Sequence, residues 1–145
     1  MLVITHALVG GFVASKISNP IISSPLIFVS HFLLDHIPHW DLGTGFRKRK
    51  KIVNFFLGLV DLICAIGICW FIFQKNLPFN PLVWIGILFS ILPDFLEFPP
   101  LFLGWRFFPF GRLETFHSQA IHRRTKFPQG LIPQILIIAV ILLLV

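Results

Sequence analysis

Charge is what this sequence has least of. Of its 145 residues only 12% are charged, while 56% are apolar. A soluble domain of this size keeps roughly a quarter of its residues charged. A fully water-facing surface is therefore excluded, and a bilayer must supply the missing solvent. The mean hydropathy of +0.87 agrees. Length allows one membrane domain over 1–145, not two. Cysteine is also scarce. Cys64 and Cys69 stand five apart in one apolar stretch, a rise of about 7.5 Å on a helix, which is beyond easy disulfide reach. A low-complexity tract is missing as well. So is a basic n-region before Met1-Leu2-Val3-Ile4-Thr5-His6, so that run is expected to be a retained segment and not a cleaved signal peptide.

What is present is a series of apolar stretches, at roughly 2–15, 21–40, 52–73, 81–103 and 128–145. A spanning helix needs about 20 residues, within a range of about 17 to 25. The third and fourth stretches meet this outright, and the fifth is just long enough. The second spans if its serines and histidines face protein. The first is short and stops at Lys16 and the turn-like Ser18-Asn19-Pro20, so it is a short or tilted span, or re-entrant. The expected fold is all-α, a polytopic transmembrane bundle of about five helices.

The net charge of +6 would suggest nucleic acid in a soluble protein. Here the basic residues lie beside apolar segments, as in loops facing an anionic leaflet, and nucleic acid is not an expected partner. Arg47-Lys48-Arg49-Lys50-Lys51 forms one run, and segment 104–127 carries Arg106, Arg112, Arg123, Arg124 and Lys126. The other loops hold only Lys16 and Lys75. Alternating spans then put the N-terminus inside and the C-terminus outside. Trp40, Trp70, Trp84 and Trp105 fall near span ends, as an aromatic belt requires.

On this topology the titratable residues gather at one membrane face. His6 begins the first helix, and His31, Asp35, His36, His39 and Asp41 crowd the end of the second. Asp94 and Glu97 lie in the inner half of the fourth, and His117 and His122 in segment 104–127. His31 and Asp35 are spaced i, i+4 and so project from one helix face, able to share an ion. Imidazole and carboxylate suit zinc, and also manganese or iron. A charged Asp deep in hydrocarbon is costly without a partner, and a divalent cation is an effective one. Asp94 follows Pro93, whose missing N–H frees a carbonyl and opens the helix locally.

Bland readings stand beside these. His36 and His39 can be headgroup-level anchors, and His39 extends the His31/Asp35 stripe only if the helix survives Pro38. Asp41 reads as a turn residue before Gly43. Glu97 can pair with a base such as Arg106. His122, next to Arg123 and Arg124, can belong to a phosphate-attracting surface. Asp61, alone in the middle of the third helix, either hydrogen-bonds a neighbouring helix or marks a polar path. Ser30-His31-Phe32-Leu33-Leu34-Asp35 faintly echoes Phe89-Ser90-Ile91-Leu92-Pro93-Asp94.

Thr5-His6-Ala7-Leu8-Val9-Gly10 and Leu33-Leu34-Asp35-His36-Ile37-Pro38-His39-Trp40-Asp41 resemble motifs of the YdjM-type inner-membrane family, described as membrane-bound metal-dependent hydrolases. The resemblance implies a prokaryotic inner membrane, His6 and Asp35 as metal ligands, and His36 or His39 as a further one. The family's third motif is altered here, in His117-Ser118-Gln119-Ala120-Ile121-His122-Arg123-Arg124. The family is similar in turn to zinc-dependent phospholipase C and P1-type nucleases, which use H-x-x-x-D ligand pairs of the form of His31 and Asp35.

The expected function is therefore a membrane-embedded hydrolase with a divalent metal, zinc as first choice, at the cytoplasmic face. His6, His31, Asp35, Asp94 and His117 are the leading ligands, with His36, His39 and His122 as further candidates. Glu97 is the expected general base, and Arg123 and Arg124 are expected to hold the phosphate of a phosphoester or lipid-like substrate. A non-catalytic membrane scaffold and a proton- or ion-handling carrier component are the alternatives.

Overall fold

The computed structural model describes residues 1–145, the side chain of Gln119 excepted. Among the described residues every regular element is helical: α1 (Val3–Lys16), α2 (Pro20–His36), α3 (Lys51–Phe73), α4 (Pro81–Phe98), α5 (Phe110–Thr115) and α6 (Ile132–Leu144). A π-helical stretch, Pro99–Leu103, prolongs α4, and a second, Phe116–Ile121, prolongs α5. Two helices, Lys51–Phe73 and Pro81–Leu103, are long and apolar enough to cross a membrane.

Local chemistry sets the ends. Asn19 and Asn80 accept hydrogen bonds from Ile21 N and Leu82 N at 3.0 Å, and each is followed by a proline in the first helical position. An N-cap acceptor relieves an orphan amide, and proline there has no amide to leave unpaired. α2 stops at His36, short of the limit near residue 40 expected from hydropathy. Ile37 precedes Pro38 and takes extended backbone, φ −72° and ψ 133°, because the proline ring disfavours the α region for its predecessor. His39 therefore does not continue a helical stripe.

α1 is the central post, packed on α2, α3, α4 and α6. Its crossing with α4 runs over small residues. A Cβ added to Gly10 would fall 2.5 Å from Ser90 Cβ and 2.6 Å from the Gly86 carbonyl oxygen. One added to Gly86 would fall 2.5 Å from Ala14 Cβ. Gly10 and Ala14 thus meet Gly86 and Ser90, each pair four apart, a small-residue spacing that lets two helix backbones approach closely. α3 lies outside this pair with most of its apolar surface uncovered: 11% of its central window is buried.

Helix lengths create a recess. α3 is 23 residues long and α1 only 14, so α1 begins well along α3. Asp61 Oδ2 accepts a hydrogen bond from Val3 N at 2.9 Å, about ten residues or roughly 15 Å from the start of α3. This settles what Asp61 does in the fold: it satisfies an orphan amide at the start of α1. The ends of α1, α2 and α6 meet at this level, while α3 and α4 run on. The chain between α2 and α3 and the chain from 104 to 131 fill the space beyond. They pair there through backbone bonds, His39 N to Arg123 O at 3.0 Å, Thr125 N to His39 O at 2.7 Å and Trp40 N to Gly130 O at 2.9 Å. Gln134 of α6 locks the seam, accepting from Leu2 N at 2.9 Å and donating to Trp40 O at 2.7 Å.

The tight crossing makes a prediction. Gly86→Leu should cost about 1–3 kcal/mol, the usual penalty of overpacking, and lower the midpoint of thermal aggregation in detergent. Gly67→Leu, whose Cβ meets nothing within 4 Å, should leave that midpoint unchanged.

Candidate metal centre

Asp35, at the end of α2, is fully buried, and five histidines from four segments turn toward it. His31, one turn earlier, places Nε2 3.3 Å from Asp35 Oδ2. His117 Nε2 lies 2.8 Å and His122 Nε2 2.9 Å from the same oxygen. On the other oxygen, Oδ1, His6 Nε2 stands at 3.2 Å and His39 Nε2 at 3.6 Å. The Met1 ammonium also contacts Oδ1. Asp94 approaches from α4, its Oδ1 3.6 Å from His31 Nε2.

The far nitrogens decide what the near ones are. A carbonyl or carboxylate oxygen only accepts, so a ring nitrogen beside one carries the proton. His31 Nδ1 donates to the Ser90 carbonyl at 2.6 Å, and His39 Nδ1 to the Ile37 carbonyl at 2.7 Å. His117 Nδ1 lies 2.8 Å from Glu97 Oε1, and His122 Nδ1 3.3 Å from Asp41 Oδ2. In His31 and His39, when neutral, Nε2 is then a lone pair facing carboxylate oxygens, whereas His117 Nδ1 and His122 Nδ1 stand beside carboxylates without forming a hydrogen bond. His117 Nε2 is 3.1 Å from both His31 Nε2 and His122 Nε2. One proton on His117 cannot serve Asp35 and two imidazoles together. His39 Nε2 is buried with no hydrogen-bond partner at all. A cation attracts every one of these lone pairs at once, and a buried polar atom without a partner costs about 1–3 kcal/mol.

Two ligand sets result. His31, Asp35, Asp94 and His117 offer atoms within 4.8 Å of one another, and so do Asp35, His39 and His122. The buried cluster can hold a metal ion. Asp35 belongs to both sets. The carbonyls and carboxylates behind the rings fix tautomer and orientation, as the supporting residues of metal-ligating histidines do.

Backbone geometry brings these parts together. Ser90 sits one turn before Pro93 in α4, and its carbonyl accepts a hydrogen bond from His31 Nδ1. Its hydroxyl donates to the His6 carbonyl, and His6 stacks on His31 with ring centres 3.9 Å apart. The echoing segments Ser30–Asp35 and Phe89–Asp94 thus touch across α2 and α4. The pairing of His39 with Arg124 carries His39 and His122 to the site from outside any long helix.

Of the expected ligands, His31, Asp35, His39, Asp94, His117 and His122 fall in these sets. His6 touches Asp35 but lies outside both. His36 is exposed and turned away from them. Glu97 is buried behind His117. Arg124 Nε is held by Asp41, at 2.9 Å from Oδ1 and 3.0 Å from Oδ2, while the Arg123 side chain is exposed and its amide donates to the Asp35 carbonyl at 3.2 Å. Asp41 does more than turn the chain. It accepts from Thr44 N at 2.9 Å, as a turn residue does, and also faces His39, His122 and Arg124. Its place beside His39 in sequence was the available signal; Ser90 and Gln134 carried none beyond the Ser90 echo.

The electrostatics follow from this crowding. Burial works against the Asp41 charge, but His122, His39 and Arg124 outweigh it and hold the carboxyl well below the usual range. Burial likewise disfavours a charge on His117, yet Asp35 and Glu97 prevail and push the imidazole up to about 9. Comparison with known protein families, curated proteins and solved structures finds no match to this chain.

A pH dependence follows. The raised His117 pKa stabilises the metal-free protein below about 6.5, and that contribution fades as pH climbs through about 9. A metal must displace the same proton, so its affinity should rise with pH across that window, by up to about tenfold per unit. Competition with a chelating dye at stepped pH measures this; a flat profile would remove His117 from the ligands.

Proposed function

We propose that the chain is a polytopic membrane protein whose buried cluster is the centre of a metal-dependent hydrolase, with zinc as the first choice of metal. The observation that carries the metal is the convergence of imidazole lone pairs on Asp35. Tetrahedral ligands about 2.0–2.1 Å from zinc stand roughly 3.3 Å from one another. Four of the six spacings among His31, Asp35, Asp94 and His117 run from 2.8 to 3.6 Å, and all lie within 4.8 Å. The motif resemblance to membrane-bound metal-dependent hydrolases points the same way.

A bound divalent cation would lower the pKa of a water and polarise a phosphoester. The chain's own residues do the rest. Ser90 and Ile37 hold His31 and His39 in one tautomer. Glu97 orients His117 from behind and, bordering the adjoining cavity, is placed to take a proton. Arg124 is committed to Asp41; Arg47 and Lys48 border the cavity as cations for a substrate phosphate, and the exposed Arg123 side chain lies outside its lining.

The bilayer reading rests on the uncovered apolar surface of α2, α3 and α6, with Ile21, Phe56, Val60, Phe71, Leu136 and Leu143 all more than half exposed. Both basic segments lie at the site end, where Lys51 reaches the Phe102 carbonyl at 3.4 Å and Arg124 lies against Gly43. Lys16 borders the opposite end, beside Gln74 and Asn80. That asymmetry fits a cytoplasmic site end, with the cluster recessed into the inner leaflet. A proton path through Asp61 finds less support, because Val3 N engages its carboxylate.

Metal content of purified protein is the test. Wild type should carry at least one equivalent of divalent metal. Asp35→Asn should lose all of it, and His31→Ala about 10–100-fold in affinity. Negligible metal in all three would overturn the reading.

A further inference from the structure

A cavity of about 650 Å³ adjoins the cluster, within the range of about 300–1,000 Å³ typical of ligand sites. Its two sides differ in chemistry. Asp41, Asp94 and His122 line one side, and these are the outer atoms of the ligand sets and their support. Phe55, Leu59 and Leu62 of α3 and Ile91 and Phe95 of α4 line the other. Arg47 and Lys48 stand at its basic edge.

The apolar side opens sideways. α3 packs its backbone on α1 and meets α4 through side chains, Phe55 against Phe98 with ring centres 6.3 Å apart, so a slot remains between the two long helices. Phe55, Leu59 and Phe95 are 39%, 38% and 47% exposed along it. A soluble phosphoester has no use for such a wall, whereas a lipid chain needs one. At the polar end, acidic groups such as Asp41, Asp94 and Glu97 would repel an anion unless a cation sits among them. The inference therefore rests on the proposed metal centre. With the metal in place, and Arg47 and Lys48 beside it, the end of the slot suits a phosphate.

We infer that this cavity binds a membrane phospholipid, with its phosphate at the metal cluster and an acyl chain lying between α3 and α4. The substrate of the hydrolase is then drawn from the bilayer through the side of the protein. The recess below the inner ends of α3 and α4 serves this purpose: it lowers the chemistry to the depth at which a lipid phosphate can stay attached to an embedded chain.

Gly58 makes a clean test. It borders the cavity, and a Cβ there meets nothing within 4 Å, so Gly58→Phe fills the slot without displacing neighbours. Gly67 on the same helix also has open space around its Cβ and lies outside the cavity lining, so Gly67→Phe is the control. Purified protein titrated with phosphatidylglycerol, and separately with diacylglycerol of the same chains, is read by native mass spectrometry with metal content measured alongside. Wild type and Gly67→Phe should each retain one phosphatidylglycerol. Gly58→Phe should bind it roughly tenfold or more weakly with metal unchanged, and diacylglycerol should bind wild type weaker by a similar factor. Metal-loaded Gly58→Phe that holds the phospholipid as wild type does would overturn this inference alone, as would equal retention of diacylglycerol. A wild-type protein that lacks metal yet holds lipid through the Gly58 slot would overturn the metal centre and the phosphate seat that rests on it, and leave the acyl slot standing.

Discussion

A single carboxylate, Asp35, stands where three helix ends meet, out of reach of water and ringed by five imidazoles. Burying an ion costs several kcal/mol unless its partners are well placed, so the surrounding chain is arranged around this one group. Its two oxygens divide the neighbours: His31, His117 and His122 face Oδ2, while His6 and His39 face Oδ1. Behind His31 and His39 the carbonyls of Ser90 and Ile37 accept from the outer nitrogen, and behind His117 and His122 stand the carboxylates of Glu97 and Asp41. The rings cannot turn away without stranding that outer contact. Of their inner nitrogens, that of His39 is buried without a hydrogen-bond partner. The buried cluster can hold a metal ion.

That arrangement needs backbones close together, and the small residues supply the closeness. Gly10 against Gly86 and Ser90 brings α1 near enough to α4 for Ser90 to bond both the His6 carbonyl and the His31 ring. A larger residue at the crossing would push His6 and Asp94 apart. The shortness of α1 has a matching role. Because it begins partway along α3, its first amides need an acceptor at mid-helix depth, and Asp61 is there. The space left beyond its end is filled by the segments that deliver His39, His117 and His122.

Much of this was legible in the sequence. Hydropathy located all the long helices, and the i, i+4 spacing of His31 and Asp35 correctly put them on one face. Charge asymmetry separated the two ends of the molecule. Other parts were not legible. His36 and His39 could not be ranked from their neighbours, because which one faces the site depends on the chain turning at Pro38 and pairing with Arg124. Asp41 looked like a turn residue and is one, but its second role depends on His122 arriving from eighty residues away. Arg124 looked like a free phosphate ligand until Asp41 was seen to hold it.

The sequence by itself determined the helical class, the apolar surface, the sidedness of charge and the residue types available for a metal. These follow from composition and from the fixed 3.6-residue period, which needs no knowledge of neighbours. Only the tertiary structure decided which histidines converge, which ring nitrogen each presents, and that Asp35 sits between two ligand sets. Those are matters of distance between segments far apart in the chain, set by how closely α1 crosses α4 and by how the two loops pair.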